Sequence, residues 1–360
     1  MFKKKMFLCV AAVCLTASAL AGCSASGNSQ TGQVKQETGT VKSADGSEEQ
    51  KAQTEAAKAA EGQGNFKPSA TVEFIANSKA GSNIDIFARS VVESMKADAT
   101  FAASKSNLII VNQEDGNGAV AQRQVSALTG EEADNKLLTL NVGDLESMLM
   151  NTDLTVDDFT ILGILVQDKH YLYVNKDSSY QTFDDFVKDV KGGANKVIAG
   201  GRGDDIMFGS LVRKVLGAEA NLNYLQTGGT NDTAVQVLGN QVDIGIGKAS
   251  VLNAYLESGD VRVLAVEGPE PGAGLYEGVP TLESLGYGDI NYIQCRAIAG
   301  SKNMSPAAVA YWEGVLKSVA ESEDFDQNYV KKYDSMLGYM DSAKATAYFK
   351  EAEKVAKGSN

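Results

Sequence analysis

Twice in this chain a short β-branched run breaks into a loop of glycines and small polar residues, and an amphipathic helix follows at once. Lys196-Val197-Ile198-Ala199 passes through Gly200, Gly201, Arg202, Gly203, Asp204 and Asp205. Phe208, Leu211, Val212, Val215 and Leu216 then repeat at i, i+3, i+4, i+7 and i+8, and Gly217 closes the helix. Residues 71–76 lead likewise through 77–83 into a helix with Ile84, Phe87, Ala88, Val91, Val92 and Met95 on one face. Ser82, three residues before Asp85, is a capping-box variant that starts this helix near Asn83. Residues 108–111, a loop at 112–118 and a helix at 119–128 make a third unit. Residues 136–141 form a fourth strand ending in Val142-Gly143-Asp144, and 233–238 a short helix stopped by Gly239. Val242, Ile244 and Ile246 alternate with Asp243, Gly245 and Gly247 as in a half-buried strand. Strand, tight loop and helix in repetition dictate an α/β fold with parallel sheets.

In such folds ligands bind beyond the carboxyl ends of the strands, where helix N-termini present unpaired N–H groups and a positive dipole end. The loops at 77–83 and 200–205 are therefore candidate anion grips. Asn77, Ser78, Lys79, Gly81, Ser82 and Asn83 come from the first, and Gly201, Arg202, Gly203 and Asp204 from the second. Nucleotide cofactors are not expected. Ile206 stands where a dinucleotide fingerprint needs its third glycine, and no Gly-Lys-Ser/Thr follows a glycine loop. A net charge of −13 argues against a nucleic-acid partner. One histidine and four cysteines leave little for a metal centre, and none is expected. His170 lacks a Gly-x-Ser-x-Gly elbow and reads as a packed or surface histidine, so no catalytic residue is assigned. Arg202-Gly203-Asp204 spells an adhesion tripeptide, which in a glycine turn carries no weight.

The N-terminus sets the cellular context. Lys3, Lys4 and Lys5 precede an apolar run that ends in Leu20-Ala21-Gly22-Cys23. Residues 1–22 have the layout of a secretory signal, and their end resembles the lipobox of bacterial lipoproteins, which implies a diacylated, palmitate-bearing Cys23 as the mature terminus. Residues 24–65 hold only Val34 and Val41 as large apolar side chains, so the stretch from lipidated Cys23 to 65 is a flexible tether to a folded body at 66–360. Cys9 and Cys14 leave with the leader, and Cys295, in an apolar neighbourhood, reads as a small buried side chain.

From about 70 to 355 the chain resembles the substrate-binding proteins of tripartite tricarboxylate transporters, the Bug proteins. The matching stretches are Val72–Ala76 with Gly81, Asp85 and Ala88-Arg89, and Val111-Asn112-Gln113 with Gly116 and Gly118. Residues 225–229 and 238–243 follow, then Val263-Leu264-Ala265-Val266 with 278–287, and last Met304-Ser305-Pro306 opening a helix. Their shared order carries the resemblance. It implies a two-domain, periplasmic-binding-protein-like (Venus-flytrap) fold with a ligand cleft between domains at 66–167 plus 296–360 and at 168–295. Crossings are expected near 166–175 and 292–300. It adds Asn141, Gly228, Gly229 and Lys248 to the expected ligand-binding set. It further implies a non-enzymatic, monomeric, extracytoplasmic receptor that hands a small di- or tricarboxylate to integral-membrane permease subunits. An anchored enzyme or ligand sensor on the same scaffold is the alternative. The chain departs from the family pattern by carrying Lys79, Arg202, Asp204, Asp205 and Lys248 in its loops. The cations suit a ligand with more than one carboxylate; the two acids suit an amine, as in an amino acid.

Overall fold

The computed structural model describes residues 66–292 and 294–358. The leader, Cys23 and the tether lie outside the described residues. Two sheets organise the body. The first takes β1 (Thr71–Ala76), β2 (Asn107–Asn112), β3 (Lys136–Asn141), β4 (Phe159–Asp168), β10 (Gln294–Ser301) and β11 (Met336–Asp341), in the order β11-β4-β10-β3-β1-β2. The second takes β5 (Tyr171–Asn175), β6 (Lys196–Gly200), β7 (Leu222–Gln226), β8 (Ile244–Gly247) and β9 (Val261–Val266), in the order β7-β6-β8-β5-β9.

Both sheets are mixed rather than wholly parallel. β1 pairs in parallel with β2 and β3, and β6 with β7 and β8. β10 runs antiparallel to β3 and β4, and β5 antiparallel to β8 and β9. The antiparallel strands are those by which the chain changes sheet. It leaves the first at Asp168 and enters the second at Tyr171, so buried Lys169 and His170 span the crossing; it returns just before Gln294.

Side chains alternate across each sheet and feed a core on either face. In β1, Phe74 packs with Phe87, Val91 and Trp312 on one face, and Ile75 with Leu138, Leu145 and Ile164 on the other. In β5, Leu172 joins Phe183, Phe208 and Ile244, while Tyr171 and Tyr173 join Leu252 and Tyr276. The α-helices between β1 and β10 are α1 (Asn83–Ala97), α2 (Ala99–Ser104), α3 (Ala119–Ser126), α4 (Gly130–Asp134), α5 (Val142–Asn151), α6 (Phe183–Lys191), α7 (Asp204–Val215), α8 (Thr230–Leu238) and α9 (Ala249–Glu257). After β10 come α10 (Pro306–Ala320), α11 (Glu323–Phe325), a π-turn at Asp326–Lys331 and α12 (Ser342–Gly358).

Three details differ from the sequence reading. The third helix begins after a 3₁₀ turn at Asp115–Gly118 and ends at Ser126. The helix expected at 233–238 starts three residues earlier, because its polar first turn carries no apolar periodicity. Strand β8 is buried along its whole length, being flanked by β6 and β5 in mid-sheet. Its glycines face protein, not water: a Cβ at Gly245 would lie 2.7 Å from the Tyr173 ring.

Candidate functional site

Five strands deliver their C-terminal ends to one seam between the lobes. β1 opens into the 77–82 loop and α1, and β3 runs straight into α5. From the other lobe, β6 passes through 201–203 into α7, β7 through 227–229 into α8, and β8 through Lys248 into α9. The lobes touch there. Gly203, at φ +60°, has no side chain, and a Cβ added to it would lie 3.1 Å from Gly143 Cα at the start of α5. Lys79 of the first lobe pairs with Asp232 of the second at 2.9 Å, and Asn231 Nδ2 donates to the Gly81 carbonyl at 3.1 Å.

Three of the helices facing the seam, α1, α5 and α7, carry an acid in the first turn that binds its own loop. Asp85 accepts from Gly81 N at 2.8 Å, from Asn112 Nδ2 at 2.8 Å and from Arg89 Nε at 2.9 Å. Asp144 and Asn141 form a reciprocal capping box on α5. Asp205 accepts from Gly201 N at 2.7 Å. The chain's own carboxylates thus occupy part of the N–H supply that the sequence reading assigned to a ligand.

The expected site residues fall as follows. Asn77 is buried; its side chain accepts from Thr139 Oγ1 at 2.9 Å. The Ser78 and Ser82 hydroxyls bond each other at 2.7 Å, Ser82 Oγ also caps α1, and Asn83 turns its Oδ1 to Ile84 N at 3.1 Å. Gly228 lies under Asp232, with Lys79 Nζ 3.5 Å from where its Cβ would be. Gly229, at φ +146°, precedes α8. Arg202 is exposed at the loop tip. Asp204 and Lys248 are buried and paired at 2.9 Å. Asn77, Asn141, Gly201, Gly203, Asp204 and Lys248 therefore line the depth of the seam. Lys79, Gly81, Gly228 and Gly229 form one edge, where they meet across the lobes.

Beneath this seam lies a network of buried charge that sequence reasoning missed in the main. His170, wholly buried, stacks on Phe208 with ring centroids 4.4 Å apart. Its Nδ1 faces Glu267 Oε2 at 2.5 Å, and its Nε2 faces Asp204 Oδ2 at 3.1 Å and Asp205 Oδ1 at 3.5 Å. Arg296, 2% exposed, donates through Nε to Asp168. Tyr292 donates its N–H to Glu267 and its hydroxyl to Glu146, the latter at 3.1 Å. The solitary His170 is thus a junction of charges, more than a packed ring. Arg296, inside the apolar run Cys295–Ile298, was the signal available: an arginine amid strand hydrophobics must find a buried partner.

The network sets unusual protonation. Burial would raise Asp204, but Lys248 and His170 override it and hold its carboxyl well below the usual range. Asp205 goes the other way: burial and the Asp204 charge push it up to about 6. Burial likewise raises Asp144 and Glu146, each to about 7, with Asp204 adding to both. For His170, burial and Lys248 oppose protonation, and Glu267 and Asp204 prevail, raising it. Burial also lifts the Cys295 thiol to about 12, which leaves it inert.

Chemically, this arrangement holds rather than transforms. Both His170 nitrogens face carboxylates and its ring is clamped by stacking, a poor setting for a base that must shuttle protons. His170, Asp204 and Asp205 are spaced as metal ligands are, their ligating atoms within 4.8 Å of one another. The Lys248 ammonium 2.9 Å from Asp204 already supplies positive charge there, so the trio reads as an ion network. No helix among the described residues is long and apolar enough to cross a membrane.

Among curated proteins, none matches this sequence. Solved structures do. The chain is similar to the periplasmic binding protein BugD, with a TM-score of 0.69 at 18% identity over 80% of this chain and 96% of that one. It is similar to MatC of Rhodopseudomonas palustris, solved with bound malate, at TM-score 0.68 and 15% identity over 80% and 98% of the two chains. A further R. palustris protein, solved with adipate, gives TM-score 0.70 and 15% identity over 81% and 97%. At such identities the likeness is one of fold: two α/β lobes of the periplasmic-binding-protein type. The family model for the tripartite tricarboxylate transporter family receptor matches residues 96–358, most of the chain and both lobes. With its seam of strand ends between two mixed sheets, the chain belongs to the tripartite tricarboxylate transporter receptor family.

Proposed function

We propose that this protein is a lipid-anchored extracytoplasmic solute receptor that closes its two lobes on a small organic acid and presents it to the permease subunits of a tripartite transporter. Family membership and the meeting of five strand ends at Gly143–Gly203 carry this reading. BugD-like relatives of the same fold, two of them solved with malate and adipate, make a carboxylate the ligand class of first resort. The anchor is Cys23 with its lipobox-like Leu20–Gly22, and 23–65 is the tether. The ligand-binding set is Asn77, Ser78, Lys79, Gly81, Ser82, Asn83, Asn141, Gly201, Arg202, Gly203, Asp204, Gly228, Gly229 and Lys248. Binding without turnover sets this apart from an enzyme on the same scaffold.

The test is a thermal-shift panel of organic acids and amino acids on protein stripped of endogenous ligand by unfolding and refolding. A ligand at 100 times its Kd adds about 2.7 kcal/mol to the native state, which is a shift of several degrees for a body of this size if it unfolds as one unit. Silence across the whole panel would remove the carboxylate reading.

A further inference from the structure

We infer that Asp334 is the pin on which the two lobes turn: residues 331–335, a loop of the first lobe, stay docked on the second lobe whether the cleft is open or shut. The inference rests on the receptor reading for there being an open form at all; the docking itself does not.

Among the described residues the chain joins the lobes at three places. Besides the crossings at 168–171 and just before Gln294, the stretch between the π-turn and β11 leaves the first lobe, reaches the second and returns. Tyr329 and Val330 still belong to the first lobe's core, with Phe87 and Trp312. Tyr333 packs against that core and also against the second-lobe cluster that holds Tyr171, Leu252 and Tyr276. Asn253 of α9 donates through Nδ2 to the Lys332 carbonyl at 2.8 Å. By β11 the chain is back in the first sheet.

Asp334 is held from several sides. It is 8% exposed and stands at φ +45°, a conformation that aspartate tolerates better than most residues. Both its carboxylate oxygens lie 3.2 Å from the buried Lys169 ammonium. Its Oδ2 accepts from the Tyr171 hydroxyl at 2.7 Å and its Oδ1 from the Ala273 N–H at 3.1 Å. Next to it, Ser335 Oγ donates to Asp168 at 2.8 Å. Residues 168, 169 and 171 of the crossing are thus all tied to Asp334 or its neighbour.

Position decides what these bonds do. Covalently joined lobes swing about an axis that runs close to their crossings, and displacement grows with distance from it. Asp334 is bonded to the crossing itself, so opening moves it least. The seam contact Lys79–Asp232 differs in kind: it is half-exposed and touches neither crossing. Losing a surface pair costs little, whereas breaking a buried one is expensive. Nor is the loop pressed flat on the second lobe. A cavity of about 410 Å³ lies beside the pin, with Asn253, Ala254, Leu275, Tyr276, Lys332 and Tyr333 in its walls. A loop held at points, with space next to them, can tilt on its pin without letting go.

The experiment is a double-mutant cycle of Asp334→Asn and Tyr171→Phe on the full chain, read by melting temperature in two settings. One is the protein as purified. The other is Gly143→Ala protein stripped by unfolding and refolding, in which the added Cβ would overlap Asp204 N and holds the seam apart. Groups in contact give shifts that fail to add. In both settings the two shifts should miss additivity by the same amount, about 2 °C or more. Should Asp334→Asn fail to fold, Tyr171→Phe serves alone, since it removes one hydroxyl and keeps the ring; its cost should be equal in the two settings. Coupling, or a Tyr171→Phe cost, that is present in the protein as purified and gone from the stripped Gly143→Ala protein overturns the pin and makes 331–335 a closure contact. Additive shifts in both settings overturn the docking altogether. Neither failure touches the carboxylate reading, which the thermal-shift panel tests by itself.

Discussion

Gly143→Ala tests whether the lobes close as the structure shows them. Gly143 opens α5 with its backbone against the loop of the other lobe. An added Cβ would lie 3.1 Å from Gly203 C and would overlap Asp204 N outright. Comfortable carbon contacts lie at about 3.5–4.0 Å. The atoms across the seam are backbone at the head of α7, which cannot rotate aside; the third neighbour, Asn141 Oδ1 at 3.1 Å, belongs to the same lobe. The lobes must part by several tenths of an ångström or more, and overpacking of this kind costs about 1–3 kcal/mol. Most of the cost falls on the closed arrangement, because in an open one the methyl keeps only the Asn141 Oδ1 contact within its own lobe. At about 1.4 kcal/mol per tenfold, ligand affinity should drop roughly fivefold to 150-fold. Stability of the ligand-free protein should move by less than about 0.5 kcal/mol. Small-angle scattering should give a larger radius of gyration than wild type in saturating ligand, and calorimetry the lost affinity. A variant that binds within twofold of wild type and scatters identically would show that Gly143 and Gly203 do not meet in solution, and the closure geometry would be wrong.

Cys23→Ala should move the protein from the membrane to the soluble fraction while its thermal transition stays put, since Cys23 lies far ahead of the first strand at Thr71–Ala76; quantitative retention in the pellet would refute the anchor. Stability should rise as pH falls from 8 to about 5.5. Asp144, Glu146, Asp205 and His170 all have folded pKa values raised above their unfolded ones, so their contribution is complete below the unfolded values and fades as pH climbs through the folded ones. Asp85 and Asp204 are lowered, and their contribution is lost only in stronger acid; a melting temperature flat or falling from pH 8 to 5.5 would contradict the network as described. Gly314→Ala, on an exposed face of α10 with nothing within 4 Å of the new methyl, should stabilise the protein by about 0.5–1 kcal/mol through helix propensity. That is a rise of roughly 1–3 °C in the melting scan.

The alternating strand–loop–helix pattern made the α/β class legible because it is local: β-branched runs, glycine loops and 3.6-residue periodicity each sit within about 20 residues. Ser82 as the cap of α1 was readable for the same reason. The antiparallel crossing strands were not, since direction is set by partners more than a hundred residues away, as Arg296 opposite Val166 illustrates. The loops were located, but the charges beneath them were not. Asp144, Glu146, Asp168 and Glu267 look in sequence like ordinary solvated residues; Arg296, amid strand hydrophobics, alone signalled a buried charge. Asp204 and Asp205 read as loop acids; the helix begins at Asp204, which turns both inward. Lys79, expected among the anion-gripping residues, pairs across the lobes with Asp232, half-exposed, a pair worth about 0–1 kcal/mol that no local pattern foretold.

The most direct test of the receptor account is native mass spectrometry of the protein purified without denaturation. A receptor that closes on a small organic acid should carry one: a single added mass in the range of a small carboxylate, one per chain. It should be lost on unfolding and regained when the identified compound is returned to the refolded protein. Bare protein that stays bare after incubation with the compounds of the panel, or a bound molecule without a carboxylate, would contradict the account.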